Sequence, residues 1–386
     1  MERLDDSTII ALLALALAIS SAACSGTSIG EGETSTDLAS TQDDLRHTRH
    51  PCASPHAHHA DHVTDIGYFE SAPFSFRYSF ARAVNNRKTV VGHALASASS
   101  EQNQLHAFRW KRHTGMVDLG TLSGGSYSTA TDVNERDQVS GVADLPDGTR
   151  HAVLWDAHGR IRDLGTLGGA TSAAYKINDR GQVLGTSANV DNEFRVFIWE
   201  ARTGMVEVDL PGVTGASLNG LNDSGEFVGG WVKKGSRYTM PFKWKKDEGG
   251  TELDLLGGAR GEATGINEQG DIVGTIYDDQ LVAVKWTDRR AIRLANLRDR
   301  EEQYPSGRIE SFPRAINRRG FIAGSDTTDS DLTAIEWKTP ARAQRLPLGA
   351  FQSDAFDIND CGDIVGAYYV EGMADWHGFL WEPGSR

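Results

Sequence analysis

The sequence predicts an all-β protein, a seven-bladed β-propeller of four-stranded antiparallel blades. Three features of the 386 residues carry this prediction: a recurring Asn, a Gly seven positions after each Asn, and one Trp in every repeat. The asparagines are Asn85, Asn134, Asn178, Asn222, Asn267, Asn317 and Asn359, and the tryptophans are Trp110, Trp155, Trp199, Trp244, Trp286, Trp337 and Trp381. The asparagines are 42–50 residues apart, which is the size of a propeller blade.

One repeat, residues 130–169, illustrates how four strands fit into each unit. Four short segments alternate with polar or Gly-containing turns, and they cover residues 130–134, 138–142, 151–155 and 161–167. The recurring Asn begins the turn between the first two segments, and five of the seven copies have Gly at the fourth turn position. Asn first and Gly fourth is the composition of a type I turn, so we interpret the seven asparagines as turn formers rather than as ligand-binding residues.

The two ends of the repeat array complement each other. Residues 63–69 match a fourth strand, whereas the last repeat ends with its third strand at residues 377–381. The N-terminal strand should therefore complete the seventh blade and close the ring, which removes exposed sheet edges. The tryptophans are predicted to pack between blades, and the glycines to allow neighbouring strands or Trp rings to approach closely.

The N-terminal region has the features of an export signal. An apolar run at residues 9–19 is too short to span a bilayer but suits a signal peptide, and small residues precede Cys24. The sequence thus predicts a signal peptide at 1–23, a lipid-modified Cys24, a flexible Ser/Thr/His-rich tether at 24–61 and the propeller at 62–386. The expected location is an outer membrane lipoprotein, the periplasm or the extracellular space.

Composition and motifs exclude several classes of function. A formal net charge of -14 argues against nucleic acid and against membrane contact other than through a lipid anchor. No catalytic signature is found, and no cofactor is expected. The run Asp357–Asp363 resembles a calcium loop only superficially, and the His-rich residues 47–62 lack a fixed ligand spacing, so no metal site is predicted.

Two cysteines suggest a disulfide in an oxidising compartment. Cys361 falls in the first turn of the seventh blade, and Cys52 precedes the closing strand by ten residues. Ten residues span up to ~33 Å, whereas crossing three strands needs only ~14 Å. We predict a Cys52–Cys361 bond that pins the closing strand and contributes about 2–4 kcal/mol.

Several segments resemble the HAF repeats, a group of bacterial extracellular repeat proteins. The resemblance is carried by residues 106–110 (HAFRW), 163–169 (DLGTLGG) and 177–183 (INDRGQV), and in looser form by nearly everything from 65 to 381. It implies export and a repeat fold, and it supplies no catalytic residues.

Variable loops and aromatic residues outside the repeat indicate where a ligand would bind. The longest loops, 97–104 and 298–310, fall on the face formed by the second-to-third-strand loops and the crossings between blades. We expect Trp231, Tyr238, Tyr277, Tyr368 and Trp376 to bind a ligand there. The favoured function is a monomeric binding module for an unknown glycan or protein at the bacterial cell surface. A hydrolase or lyase acting on glycans and a structural envelope protein are the alternatives.

Overall fold

The computed structural model describes residues 60–70, 77–98, 103–288, 290–297, 310–328, 331–350, 352–370 and 375–384, all within the unit Pro51–Arg386. These residues form seven four-stranded antiparallel sheets, arranged as the blades of a propeller. The predicted fold class is therefore confirmed. None of the described segments is a helix long and apolar enough to cross a membrane. The predicted signal peptide, Cys24 and nearly all of the tether lie outside the described residues.

The strands follow chain order within each blade, except that the closing strand comes from the N-terminus. Blades 1 to 4 consist of β2 Ser79–Val84, β3 Val90–Ala98, β4 Asn103–Lys111, β5 Gly115–Asp118; β6 Ser128–Val133, β7 Val139–Asp144, β8 Arg150–Trp155, β9 Ile161–Asp163; β10 Gly168–Ile177, β11 Val183–Asn189, β12 Phe194–Glu200, β13 Gly204–Glu207; and β14 Val213–Leu221, β15 Phe227–Lys233, β16 Met240–Lys245, β17 Gly249–Glu252. Blades 5 to 7 consist of β18 Arg260–Ile266, β19 Ile272–Asp278, β20 Gln280–Thr287, β21 Arg290–Arg293; β22 Ser311–Ile316, β23 Ile322–Thr328, β24 Asp331–Thr339, β25 Arg342–Arg345; and β26 Ser353–Ile358, β27 Ile364–Val370, β28 Asp375–Glu382 with β1 His62–Gly67.

The first strand of each blade lies innermost. Each of these seven strands contacts the first strands of the two neighbouring blades, so together they surround the axis of the ring. Side chains on these inner strands consequently determine the chemistry of the central channel.

The N-terminal strand closes the ring as predicted. β1 pairs antiparallel with β28, with Val63 opposite Trp381. Asp65 on β1 accepts a hydrogen bond from Tyr368 of the same blade and contacts His377 Nδ1 at 2.8 Å. Main-chain and side-chain contacts therefore both hold the first and last strands together.

The hydrophobic core is divided among the interfaces between blades. Each of the seven clusters of buried apolar residues combines side chains from two adjacent blades. Six of the recurring tryptophans are buried members of these clusters, and Trp244 packs against the edge of the seventh, stacked on Phe227. The expected role of the tryptophans in joining blades is confirmed.

The recurring glycines lie where two strands approach too closely for a side chain. A Cβ atom at Gly185 would stand 2.1 Å from the carbonyl oxygen of Ala173 and 2.6 Å from Cζ of Phe197. The other six meet a backbone oxygen of the inner strand at 1.8–2.1 Å. The prediction of a close approach is confirmed.

On three of the third strands, a His and the residue that follows it have separate structural roles. His106, His151 and His377 on third strands pair with Asp118, Asp163 and Asp65 on the adjacent fourth strands at 2.7–2.8 Å. The following residue donates its N–H to a serine in the next blade, as Ala107 does to Ser128 Oγ at 2.9 Å. The segment therefore joins strands within a blade and also joins the blade to its neighbour.

Candidate functional site: the central channel

A closed ring of hydrogen bonds formed by the seven recurring asparagines, here called the ring asparagines, surrounds the channel. Each donates its side-chain Nδ2 to the backbone oxygen of the ring asparagine in the next blade, at 2.9–3.3 Å, and Asn359 completes the circle by donating to Asn85. Each Oδ1 accepts the N–H of the residue four positions later, so the predicted turn role is also confirmed. The ring asparagines are only 2–5% exposed and their side chains are engaged in these bonds, so they hold the scaffold.

The residue after each ring asparagine forms a second circle at the mouth of the channel. These mouth residues are Asn86, Glu135, Asp179, Asp223, Glu268, Arg318 and Asp360. At six of the seven interfaces the side chain of one accepts the backbone N–H of its equivalent in the preceding blade. Arg318 has no acceptor to offer, and its guanidinium instead lies 3.3 Å from Asp223 and 3.5 Å from Asp360. The mouth thus brings five carboxyl groups together with one cation.

Crowding and burial alter the acidity of the mouth carboxyls. Burial raises the pKa of Glu135, Asp179 and Glu268 above the ordinary values, and neighbouring carboxylates raise it further. Nearby arginines and the backbone N–H donors offset only part of this effect. A positive charge placed at the mouth would stabilise the ionised form of these carboxyl groups. The ionised carboxylates would in turn attract the positive charge.

A β-bulge in every inner strand changes which side chains face the channel. In all seven blades the register shifts at the residue three positions before the ring asparagine. A bulge interrupts the strict alternation of a strand and redirects side chains locally. Consecutive residues, such as Arg314 and Ala315, therefore both line the channel wall.

Three charged groups, Asp132, Lys176 and Asp357, stand two positions before the ring asparagines of their blades. Asp132 Oδ2 accepts the N–H of Ile177 at 3.0 Å, and Asp357 Oδ2 accepts the N–H of Val84 at 2.9 Å, so each carboxylate also joins two blades. Burial raises the pKa of Asp357 to about 6; the Lys176 ammonium opposes this rise, whereas Asp132 adds to it. Burial likewise raises the pKa of Asp132, and Lys176 again opposes the rise.

The mouth residues and these three deeper groups enclose a cavity of about 200 Å³ on the axis, here called the axial cavity. Seven carboxyl groups and three cationic groups line it, an excess of four negative charges when all are ionised. Ligand pockets for apolar molecules are lined mainly by hydrophobic side chains. The axial cavity is instead suited to a small polar group that carries positive charge. No group of three or more His, Cys, Asp or Glu side chains in the described part of the chain is arranged to hold a metal ion.

The aromatic residues predicted to bind a ligand are not brought together. Trp231, predicted to bind a ligand on the loop face, is instead buried: it is 4% exposed and stacks on Phe242 at 4.5 Å, and its Nε1 donates to Glu252. It is buried because its ring fills the space beside Gly250, the glycine in the fourth strand of its own blade.

The other four predicted aromatics lie in three blades. Tyr238 is 43% exposed in blade 4, and Tyr277 is half-buried in blade 5 under Arg260. In blade 7, Tyr368 donates to Asp65, and Trp376 packs on Phe80 at 6.2 Å. The axial cavity lies at the opposite end of the blades, where first strands turn into second strands. Ligand binding by these aromatics on the loop face remains a prediction.

The predicted disulfide is only partly visible. Cys361 lies in the turn after β26 and is disulfide-bonded. Its expected partner, Cys52, lies outside the described residues, and so does the remaining cysteine, Cys24. The Cys52–Cys361 pairing therefore stays a prediction.

Comparison with known proteins identifies relatives of the fold only. No protein-family model matches the sequence, and no curated protein is similar to it. Among solved structures, a virginiamycin B lyase from Staphylococcus aureus is 12% identical, with 83% of this chain and 99% of that one covered and a TM-score of 0.52. An acylaminoacyl peptidase from Pyrococcus horikoshii is 10% identical, with 81% and 52% covered and a TM-score of 0.54. A puromycin hydrolase is 12% identical, with 76% and 50% covered and a TM-score of 0.51. This chain spans about half the length of the two hydrolases, and at such identities the likeness shows a shared β-propeller architecture.

Proposed function

We propose that this chain is an exported β-propeller binding module that takes an amine-bearing glycan in the axial cavity. The observation that carries the proposal is the excess of carboxyl groups over cations around a small, polar, axial space. Carboxylates accept hydrogen bonds from both ammonium and hydroxyl groups, which an amino sugar presents side by side. The cavity volume of about 200 Å³ is small enough to favour one sugar residue over a larger group.

Export remains part of this proposal. It is supported by the apolar run at 9–19 and the small residues before Cys24, and a lipid on Cys24 would hold the propeller at a membrane surface. The excess negative charge of the whole chain, -14, would add to the attraction of a cationic ligand over longer distances at low salt.

The test compares two short glycans that differ by N-acetylation, which removes the positive charge of each amine and adds an acetyl group. Calorimetric titration of the full chain should detect a glucosamine trisaccharide and should give much weaker binding for its N-acetylated form. Asp179→Asn and Glu268→Gln keep a hydrogen-bond acceptor but remove a charge, and each should weaken binding about tenfold, equivalent to ~1.4 kcal/mol. Asp278→Asn, which removes a carboxylate paired with Arg293 outside the cavity, is the control. Equal binding of the two glycans, or no effect of the two cavity variants, would contradict the proposal; binding of a basic peptide in preference to either glycan would favour a protein ligand.

A glycan hydrolase or lyase is the second candidate, because Asp357 faces the cavity with its pKa raised to about 6. Such a carboxyl group keeps its proton in mildly acidic solution, below about pH 6, and can act there as a general acid. On this alternative, wild-type protein cleaves the glucosamine oligosaccharide, the rate falls as pH rises through about 6, and Asp357→Asn abolishes cleavage while binding persists. An intact oligosaccharide after prolonged incubation with wild-type protein would exclude it for this substrate.

A further inference from the structure

A pair of arginines, one from blade 1 and one from blade 6, lies on the inner-strand bulges. Arg82 and Arg314 both lie three positions before a ring asparagine, and both lean towards the inner strand of blade 7. The Arg82 guanidinium lies 5.0 Å from the ring centre of Phe356, and Arg314 Nη2 lies 3.2 Å from Asp354 Oδ2. Two cations thus converge on positions only two residues apart in β26.

Among the residues that the structure describes, one carboxylate, that of Asp354, serves these two guanidinium groups. Asp354 is 2% exposed, receives Ser325 Oγ on its other oxygen at 2.5 Å, and is already paired with Arg314. Nε of Arg314 is buried without a partner among the described residues. Within that same part of the chain Arg82 contacts only aromatic faces, those of Phe356 and Phe80, and no acceptor.

The environment of the two arginines favours the binding of an anion. Burial, as the largest cause, and repulsion by the nearby Arg314 cation together lower the pKa of Arg82 to about 10, so the two charges repel each other in a partly desolvated space. His93, stacked on Phe80 at 5.4 Å, has its pKa lowered to about 3 by burial and by Arg82, and its neutral ring can donate one hydrogen bond without adding charge. Paired guanidinium groups with free N–H donors match the oxygen atoms of carboxylate and phosphate groups.

We propose that Arg82 and Arg314 form an oxyanion-binding subsite in the channel, specific for a carboxylate or phosphate group of a ligand. Phe80 and Phe356 hold the Arg82 guanidinium in position by cation–π contact, and Phe312 does the same for Arg314, so little side-chain freedom is lost on binding. Arg314 also lines the axial cavity, so the subsite adjoins the carboxyl-rich mouth, but it does not depend on the amine-bearing ligand proposed for that cavity. A ligand that reaches both would carry a positive group at one end and a negative group at the other.

The experiment titrates the full chain with sodium benzoate and with inorganic phosphate, separately and at constant ionic strength. We expect saturable binding of at least one anion below about 10 mM, weakened at least about tenfold by Arg82→Gln and by Arg314→Gln. Arg237→Gln, which alters an exposed arginine outside the channel, should bind as the wild type does. Tighter binding of benzoate assigns the subsite to carboxylates, and tighter binding of phosphate assigns it to phosphates.

Two results would overturn the subsite: no saturable binding of either anion, or unchanged affinity in both arginine variants. If Arg82→Gln does not fold, Arg82→Lys keeps the charge but loses the planar fork, and its affinity for the anion should still fall; unchanged affinity would again overturn the subsite. Glucosamine binding measured in folded Arg82→Gln, whose altered residue does not line the axial cavity, should persist, so failure here can be told apart from failure of the glycan site.

Discussion

Replacing Asp357 with Asn should stabilise the propeller at neutral pH, because the native state holds this carboxyl group where its ionised form is unfavourable. The pKa rises from 3.8 to about 6 on folding. At about 1.4 kcal/mol per pKa unit, ionised Asp357 costs the folded state about 3 kcal/mol. Asn keeps an acceptor for the N–H of Val84 but carries no charge. Allowing for screening of a half-buried group and one altered hydrogen bond, we expect a gain of about 1–3 kcal/mol.

The stability difference between Asp357→Asn and the wild type should depend on pH. Between pH 3.8 and about 6 the folded chain binds more protons at Asp357 than the unfolded chain does, so this group's contribution to stability falls as pH rises through that window. The melting temperature of Asp357→Asn should therefore match the wild type near pH 4 and exceed it by a few degrees at about pH 7.5, at roughly 2 °C per kcal/mol. Circular dichroism melts at a series of pH values measure the difference.

Asp163 provides a control, because its substitution should change stability in the opposite direction. Burial alone would raise the pKa of this carboxyl, but hydrogen bonds from His151 and the N–H of Gly165 outweigh it, and the pKa is lowered. Asp163→Asn should therefore lose stability near neutral pH, and the loss should shrink as pH falls through the lowered pKa. A less stable Asp357→Asn at pH 7.5, or a difference from wild type that does not grow with pH, would refute the reasoning about the channel carboxylates.

Three further predictions address the scaffold. Asn178→Ala removes the bond to the Asn222 oxygen and the acceptor for two backbone N–H groups, so it should cost about 2–4 kcal/mol in urea denaturation, whereas Gln269→Ala in an exposed turn should cost almost nothing. Gly185→Ala places a Cβ 2.1 Å from a carbonyl oxygen and should destabilise by about 3 kcal/mol or more, in contrast to Gly215→Ala, where no atom lies within 4 Å; similar midpoints for the two would contradict the packing argument. His151→Gln should matter most at low pH: the bond to Asp163 raises the pKa of His151 from 6.5, so the stabilisation is complete below 6.5 and is lost as pH rises through the raised value. A difference in melting temperature that does not narrow between about pH 6 and pH 9 would contradict this assignment.

The scaffold could be predicted from the sequence because each residue that defines it recurs in every blade. Asn in the turn, Gly in the second strand and Trp in the third strand recur seven times, and the unmatched strands at the two ends imply closure. What the repeat could not reveal is how far a side chain reaches. The sequence predicts that Asn178 forms a turn, but only the structure shows that its Nδ2 extends to Asn222 in the next blade.

Exposure of individual aromatics could not be predicted either. Trp231 departs from the repeat and is predicted from the sequence to bind a ligand, yet it packs on Phe242 and fills the space beside Gly250. A residue outside the repeated pattern can fill a gap that neighbouring residues leave, and that gap is not visible in a one-dimensional pattern. Trp376, by contrast, packs on Phe80 beside the arginine subsite, so one of the predicted aromatics lies next to a candidate site in the channel.

The residues that give the channel its chemistry are those that break the repeat at axis-facing positions. Two positions before the ring asparagines stand Ala83, Asp132, Lys176, Gly220, Gly265, Ala315 and Asp357. In a closed ring, equivalent positions lie at equal distance from the axis, so charged residues far apart in sequence meet there, as Asp132, Lys176 and Asp357 do. Strict alternation along a strand would assign adjacent positions to opposite faces, but the bulge in every inner strand lets both reach the channel. Because pairing register determines where such a bulge falls, the irregular charges were visible in the sequence while their convergence on the axis was not.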